Sequence, residues 1–339
     1  MSPYVRHVTP VAPEQASGLV ARVYDQVDAE AGSIGPAVRM TSPAPEILAA
    51  GWVLNREAQF VGTAPVLDKT LVALGVSQAN RCDYDTLAWL GALRLLGRPE
   101  LADAIEQGEP LADARLEALL RWARSTATAG APAPLPGEPV AEYVGTALFS
   151  HFINRMVLAM LPPGLTPGTL DPADEPAFEG APVFRRWETD RTPGSSLSLL
   201  AGLPRGRVPE WAGDAPAGRA YATLAAVSRQ GAGLLGEAAR DVVHEVVAAH
   251  RGRRTADVDR LDAPLATLTE RDQTGARVAI LAGLAPEALT DEQVAAWRAT
   301  DPRYSDHCTV YLLAYGAMAA VGHVEADLAA ARGAGAADA

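Results

Sequence analysis

A thiol and a carboxyl group stand three residues apart at Cys82 and Asp85. A thiolate can attack a peroxide, and a buried carboxyl can give or take a proton. Asp83 is predicted to be the N-cap of a helix, which places both groups at a helix start where free N–H groups favour anions. Burial raises the pKa of either group. The sequence therefore leaves the protonation state of Asp85 open.

Two helices joined by a sharp turn are predicted to hold this pair. Apolar residues recur at helical spacing on both sides of an interruption at Asn80 and Arg81, and the second apolar face ends at Gly97. The apolar positions are Leu67, Leu71, Leu74, Leu87, Leu90 and Leu93. The pattern predicts that the thiol and the carboxyl lie on the turn and the first turn of the second helix.

This segment resembles the reactive segment of the alkylhydroperoxidase-D-like (carboxymuconolactone decarboxylase) family. In that family V-S-x-x-N-x-C-x-Y-C is preceded by a helical Glu and followed by a His on the next helix. The matching residues here are Val76, Ser77, Asn80, Cys82 and Tyr84. Three positions differ, because Asp85 stands at the second Cys, Trp89 at the His and Thr70 at the Glu.

The resemblance covers most of residues 4–161. It includes the opening segment 6–32, the segment SPAPEILAAGWVLNRE at 42–57 and the segment FSHFINRMV at 149–157. Relatives read close to F-H-Y-x-N-R-M in the last segment, so His151, Asn154 and Arg155 carry over position by position. These segments resemble the longer, two-part actinobacterial members of the family. The resemblance implies an all-helical bundle. Its cavity would lie between the helix after the Cys turn and the apolar helix, often completed across an oligomer interface.

The exchanged residues argue against dithiol redox chemistry. A dithiol peroxidase needs one thiolate to attack the peroxide and a second thiol to resolve the sulfenic acid as a disulfide. Cys82 has no second cysteine three residues away, and it matches the resolving rather than the attacking position of the family. The family's base and relay residues are exchanged as well. We therefore predict that thiol redox cycling has been lost.

Composition excludes other classes of function. The net charge of -12 disfavours a nucleic-acid-binding surface, which needs clustered positive charge. Two cysteines fit a reducing cytoplasm rather than a disulfide framework. No export signal is visible at the N-terminus, and the longest apolar tract, 309–322, is too short to span a bilayer. We predict a cytoplasmic protein with neither nucleic-acid nor membrane partners.

Helical periodicity without sustained alternation of β-branched residues predicts an all-α fold. The order of the predicted helices is similar in the two halves, and together with the family resemblance it predicts tandem alkylhydroperoxidase-D-like repeats. The expected units are a first domain at 1–161, a Pro/Gly-rich linker at 162–195, a degenerate second repeat at 196–330 and a disordered tail at 331–339. The helices are predicted at Ala16–Ala31, Leu101–Gln107, Ala112–Thr128, Ala141–Leu161, Leu234–His250, Leu261–Ala282, Thr290–Arg298 and Thr309–Val324. Ala141–Leu161 is apolar almost all round, which is typical of a central core helix.

No cofactor or metal ion is predicted. Gly231–Gly236 fits G-x-G-x-x-G but does not follow a strand, so it does not indicate dinucleotide binding. His244 and His250 are six residues apart rather than the four that zinc ligation on one helix face requires.

We expect acid–base chemistry on a small or medium organic substrate, such as decarboxylation, isomerisation, lyase chemistry or cyclisation in specialised metabolism. The predicted catalytic residues are Cys82, Asp85 and His151, and the predicted substrate-binding residues are Asn80, Tyr84, Trp89, Asn154 and Arg155. Asp85 or His151 would move the proton, and Arg155 would hold a substrate carboxylate or an enolate-like charge. Two alternatives are a catalytically silent ligand-binding or scaffold protein and a single-Cys thiol peroxidase. A homodimer is a possible assembly.

Each candidate also has a structural interpretation. Cys82 could be a small buried apolar residue, and Asp85 could cap its own helix. His151 could donate to a backbone carbonyl in the core, and Arg155 could pair with a carboxylate such as Glu142 or Asp85. Trp89 is interpreted as a core residue rather than as part of a cavity wall.

Overall fold

The computed structural model describes residues 4–130, 139–171, 173 and 192–337. Within these ranges every regular element is a helix and no strand occurs. The all-α prediction is confirmed. None of the helices in this part of the chain combines the length and the apolar character needed to cross a bilayer.

Thirteen α-helices are named in the described residues. They are α1 (Gly18–Ala31), α2 (Pro36–Arg39), α3 (Pro45–Asn55), α4 (Val66–Ala79), α5 (Asp83–Leu95), α6 (Pro99–Gln107), α7 (Ala114–Ser125), α8 (Val140–Met160), α9 (Pro216–Arg229), α10 (Glu237–Ala249), α11 (Glu270–Leu284), α12 (Asp291–Arg298) and α13 (Asp306–Ala337). A π-helical turn, Arg56–Phe60, follows α3. Short 3-10 helices lie at Pro13–Gln15, Ser195–Leu200, Glu210–Ala212, Gln230–Leu234, Asp259–Leu261, Ala263–Thr267 and Pro286–Ala288.

Helix α8 is the central core helix that its apolar sequence predicts. It packs against α4 on the first half of the chain and against α9 and α13 on the second. One contiguous apolar core runs from Val5 to Leu328 and includes Cys82. A smaller apolar cluster lies among α4, α5, α6 and α7. The two predicted domains thus share a core, and the proposed duplication stays a prediction.

Two elements of the second half differ from the predicted bounds. The segment predicted as one helix from Leu261 is two 3-10 turns followed by α11, because the Thr269 side chain accepts from the Asp272 N–H and starts a new helix there. The last helix, α13, continues to Ala337, into the segment predicted to be disordered. Its alanine content favours such an extension. Thr290 is the N-cap of α12 and forms a capping box with Gln293.

The predicted linker is only partly within the described residues. Residues 162–171 and 192–195 are described, whereas 172 and 174–191 lie outside the described residues. At its end, Glu57 accepts hydrogen bonds from the Gly194 N–H and the Ser196 hydroxyl. The buried Glu57 therefore fastens the beginning of the second half to the π-helical turn after α3.

Candidate active site

The turn between α4 and α5 carries the thiol. The Asn80 N–H donates to the Val76 carbonyl at 2.9 Å, and Arg81 takes up the left-handed conformation with φ of 51°. Cys82 is then the N-cap, and α5 begins at Asp83. The predicted N-cap at Asp83 is wrong by one residue, because the turn is completed at Arg81 and Asp83 already has helical hydrogen bonding.

Cys82 and Asp85 lie at the start of α5, where the sequence placed them, and their side chains are in contact. The Cys82 Sγ donates to the Asp85 Oδ2 at 3.4 Å, and the two residues are 0% and 7% exposed. Burial, followed by the nearby Asp85 charge, raises the pKa of the Cys82 thiol well above its usual value. Burial also raises the pKa of the Asp85 carboxyl to about 6. The thiol is therefore protonated at neutral pH and the carboxyl titrates close to it.

Asn154 holds the carboxyl from α8. Its Nδ2 donates to the Asp85 Oδ2 at 2.6 Å and to the Ser77 hydroxyl at 3.2 Å, so both of its hydrogens are used. Its Oδ1 accepts from the Asn80 Nδ2 at 2.9 Å. The Oδ1 of Asp85 accepts no hydrogen bond from any described residue, in contrast to its Oδ2.

His151 occupies the other end of the same network. The single hydrogen of the Thr126 hydroxyl is donated to the Ala123 carbonyl at 2.7 Å, so this hydroxyl accepts from the His151 Nε2 at 2.9 Å. The His151 Nδ1 accepts from the Asn80 Nδ2 at 3.1 Å. Burial, followed by the charge of Arg155, lowers the pKa of His151 well below its usual value. The imidazole is therefore neutral, and both of its nitrogens have partners.

Arg155 joins α8 to the second half of the chain. Its guanidinium donates to the backbone carbonyls of Gly283, Gly252 and His151, each at 2.8 Å. The predicted pairing with Glu142 or Asp85 is wrong, because Glu142 pairs instead with the buried Lys69 at 3.0 Å. Carbonyls from two distant segments satisfy this guanidinium. Arg155 does not line the cavity described below, and its role as a substrate ligand stays a prediction.

A cavity of about 360 Å³ lies beside Asp85. Its volume is within the range of small-molecule sites. The walls come from α1, α2, α3, α5, α8 and residues 167–170, and they are mostly apolar and aromatic. Of the predicted site residues, Tyr84, Asp85 and Trp89 line the cavity. Those that do not line it are Asn80, Cys82, His151, Asn154 and Arg155.

Trp89 differs from its interpretation as a core residue. It is partly buried, packs against the smaller apolar cluster and also forms part of the cavity wall. The wall formed by α1, α2 and α3 was not predicted from the residues. The resemblance over 42–57 was the available signal, since Trp52 and Asn55 from that segment line the cavity. Among the residues with described positions, no group of three His, Cys, Asp or Glu side chains is placed to hold a metal ion.

Comparison with known proteins agrees with the helical frame. The chain is similar to a protein of Mycobacterium tuberculosis named alkyl hydroperoxide reductase, with 35% identity over 301 residues that make up 87% of each chain. The chain belongs to the alkylhydroperoxidase-D-like family. No protein-family model matches it, and no solved structure matches it.

Each exchanged position of this alkylhydroperoxidase-D-like protein now has a defined environment. Asp85, at the second Cys position, faces the cavity with one carboxylate oxygen held. Trp89, at the His position, replaces a titratable group with an apolar wall. Thr70, at the Glu position, is buried and donates to the Val66 carbonyl of its own helix at 2.9 Å. This corner therefore carries a carboxyl on α5, at Asp85, and a hydroxyl at the position on α4 where the family motif has Glu.

Proposed function

We propose that the protein is a non-redox acid–base enzyme acting on an apolar organic molecule, with Asp85 as the group that takes and returns the proton. The observation that carries the proposal is the orientation of the carboxyl. Its Oδ2 is held by the Cys82 thiol and the Asn154 amide, whereas its Oδ1 has no partner among the described residues and Asp85 lines the cavity. A general base needs such a free lone pair within reach of the substrate.

The environment of Asp85 suits proton transfer near neutral pH. A carboxyl with its pKa raised to about 6 is mostly ionised at pH 7 and is a stronger base than an exposed aspartate. Tyr84 lines the same cavity, and burial raises the pKa of its phenol, so the phenol is a neutral hydrogen-bond donor. It could stabilise the charge that develops when a C–H or O–H proton leaves the substrate. Isomerisation, decarboxylation, lyase chemistry and cyclisation all use such steps.

His151 is assigned a positioning role in this proposal. It does not line the cavity, its two nitrogens are engaged by Thr126 and Asn80, and it is neutral. It fixes the orientation of the Asn80 amide, which in turn donates to Asn154. Asp85 is therefore the favoured proton carrier of the two that the sequence suggested.

Single-Cys peroxide reduction is a second candidate, supported by the name of the mycobacterial relative. It would require Cys82 to attack a peroxide and an external thiol to resolve the sulfenic acid. The burial of Cys82 and the raised pKa of its thiol oppose this step. The non-redox proposal fits the described site better.

Two matched variants separate these functions. The wild type, Asp85→Asn and Cys82→Ser are incubated in D₂O with the apolar ketones 2-tetralone, phenylacetone and 4-phenyl-2-butanone, and deuterium incorporation is measured by mass spectrometry. We expect catalysed exchange to fall by roughly 100-fold or more in Asp85→Asn and to persist in Cys82→Ser. Consumption of cumene hydroperoxide with dithiothreitol is measured in parallel.

Catalysed exchange that survives Asp85→Asn would remove Asp85 from the proposed role. Peroxide consumption that is lost in Cys82→Ser, with no exchange in the wild type, would replace the proposal with the peroxidase. Absence of both activities in the wild type would favour a ligand-binding protein.

A further inference from the structure

The cavity beside Asp85 contains a cation without an acidic partner. The charged residues that line it are Glu30, Arg39 and Asp85. Glu30 is already paired, because both of its carboxylate oxygens accept from the Nε of Arg56, which also pairs with Glu57. Arg39 forms no ion pair with any residue of the described part of the chain. The cavity wall thus combines one paired anion, one titrating carboxyl and one cation that lacks a counterion.

Neutral groups hold Arg39 in place. Its Nε donates to the Ile34 carbonyl at 2.7 Å and its Nη1 donates to the Tyr4 hydroxyl at 3.4 Å. The guanidinium also lies over the Tyr4 ring, 5.8 Å from the ring centroid. Its Nη2 has no hydrogen-bond partner among the described residues. These contacts fix the planar group and leave donor capacity free.

A half-buried guanidinium beside an apolar cavity is incompletely solvated. A ligand anion would restore the lost interactions, and a carboxylate matches the planar donor geometry of arginine. The residues that line the cavity with Arg39 are mostly apolar and include Ile34, Val38 and Trp52. Such surroundings favour an apolar ligand body attached to one charged group.

Asp85 lies apart from this cation in the same cavity. Within the described residues no ion pair joins the two groups: the Asp85 Oδ2 accepts from Cys82 and Asn154, whereas the Arg39 guanidinium donates to Ile34 and Tyr4. Hence Arg39 does not neutralise Asp85, and the two groups can act on different parts of one ligand.

We propose that Arg39 is the specificity-determining residue of this cavity and binds the carboxylate of an otherwise apolar substrate, whose body extends toward Asp85. This inference rests on the proposed function, which it deepens by naming the substrate class. Arg39 would supply binding and orientation, and Asp85 would supply the proton chemistry.

The test uses two probes that differ in one charge. Binding of 1-naphthaleneacetate and of 1-naphthaleneacetamide is measured by isothermal titration calorimetry at pH 8 for the wild type, Arg39→Gln, Arg39→Lys and Arg22→Gln. Arg22 is an exposed arginine on α1 outside the cavity wall and serves as the matched control. We expect the wild type to prefer the carboxylate by about tenfold.

Arg39→Gln should abolish this preference while keeping amide affinity within about twofold, which also reports a folded cavity. Arg39→Lys should retain part of the preference because it keeps the charge, and Arg22→Gln should retain all of it. A preference that survives Arg39→Gln, a wild type without any preference, or a wild type that binds neither probe would overturn the inference. The proposed function is tested separately, by the deuterium-exchange assay, and it fails if exchange persists in Asp85→Asn. The binding preferences measured here do not depend on that result.

Discussion

Replacing Asp85 by asparagine is expected to stabilise the protein at pH 8 and to stabilise it less at pH 5. The pKa of this carboxyl is about 6 in the folded protein against an ordinary value of 3.8. Below pH 3.8 both states are protonated and burial of the carboxyl carries no ionic penalty. Between pH 3.8 and pH 6 the unfolded state releases the proton while the folded state keeps it, so stability falls across this range and is level above pH 6, where the folded state also buries the charge.

The size of the effect follows from the two pKa values. The free energy of unfolding of Asp85→Asn should exceed that of the wild type by about 3 kcal/mol at pH 8 and by about half as much at pH 5. The substituted side chain has the same shape, and its carbonyl oxygen can still accept from the Cys82 thiol and the Asn154 amide. Urea denaturation at the two pH values, followed by circular dichroism, measures the difference.

Asp83→Asn is the matched control for this measurement. Asp83 is exposed and lies two residues away on the same helix, so Asp83→Asn should change the free energy of unfolding at pH 8 by much less than Asp85→Asn does. An Asp85→Asn variant that is less stable than the wild type at pH 8, or whose gain is independent of pH, would refute the reasoning. Either result would mean that ionisation of Asp85 in the folded protein does not lower its stability.

Three further predictions concern the same corner of the fold. In the native protein, iodoacetamide should label the partly exposed Cys308 and leave the buried Cys82 unlabelled, because the Cys82 thiol is protonated and inaccessible. Mass spectrometry measures the labelling, and equal rates at the two cysteines would contradict the burial of Cys82. Asn154→Leu should lower the free energy of unfolding by about 3 kcal/mol, because it removes one hydrogen bond from each of Asn80, Ser77 and Asp85 in a buried network. A loss below about 1 kcal/mol would argue against the network. Thr126→Val should lower the free energy of unfolding by about 1–3 kcal/mol, because it removes the hydroxyl that accepts from His151. Thr126→Ser keeps the hydroxyl and should lower this free energy less. An equal loss in both variants would indicate that packing is the cause.

Local sequence spacing was enough to place the thiol and the carboxyl at the start of α5, while their roles stay a prediction. Cys82 and Asp85 are three residues apart at a helix start, where the first turn of α5 brings their side chains together. His151 and Asn154 are three residues apart on α8, and both contact Asn80. Such contacts depend on helix geometry over one turn, which a residue pattern specifies.

The partners of Arg155 could not be predicted in this way. Its carbonyl acceptors at Gly252 and Gly283 lie about a hundred residues further along the chain. They are backbone groups, so no side-chain type marks them. Their position depends on the packing of α11 against α13, where a Cβ on Gly316 would lie 2.0 Å from the Ala279 carbonyl oxygen. The close approach requires glycine, but a chain rich in alanine and glycine does not reveal which pairs meet.

The direction of the hydrogen bonds explains why a carboxylate is suited to position 85. Asn154 has committed its carbonyl oxygen to Asn80 and presents an N–H toward α5, and the Cys82 thiol also points its hydrogen there. Two donors converge on one atom, which favours a strong acceptor over a thiol sulfur. Since both donors meet Oδ2, a proton that binds the carboxylate without breaking this arrangement must bind Oδ1. Protonation of Asp85 is therefore expected on Oδ1, the oxygen without a partner among the described residues, and the proposed chemistry uses that oxygen.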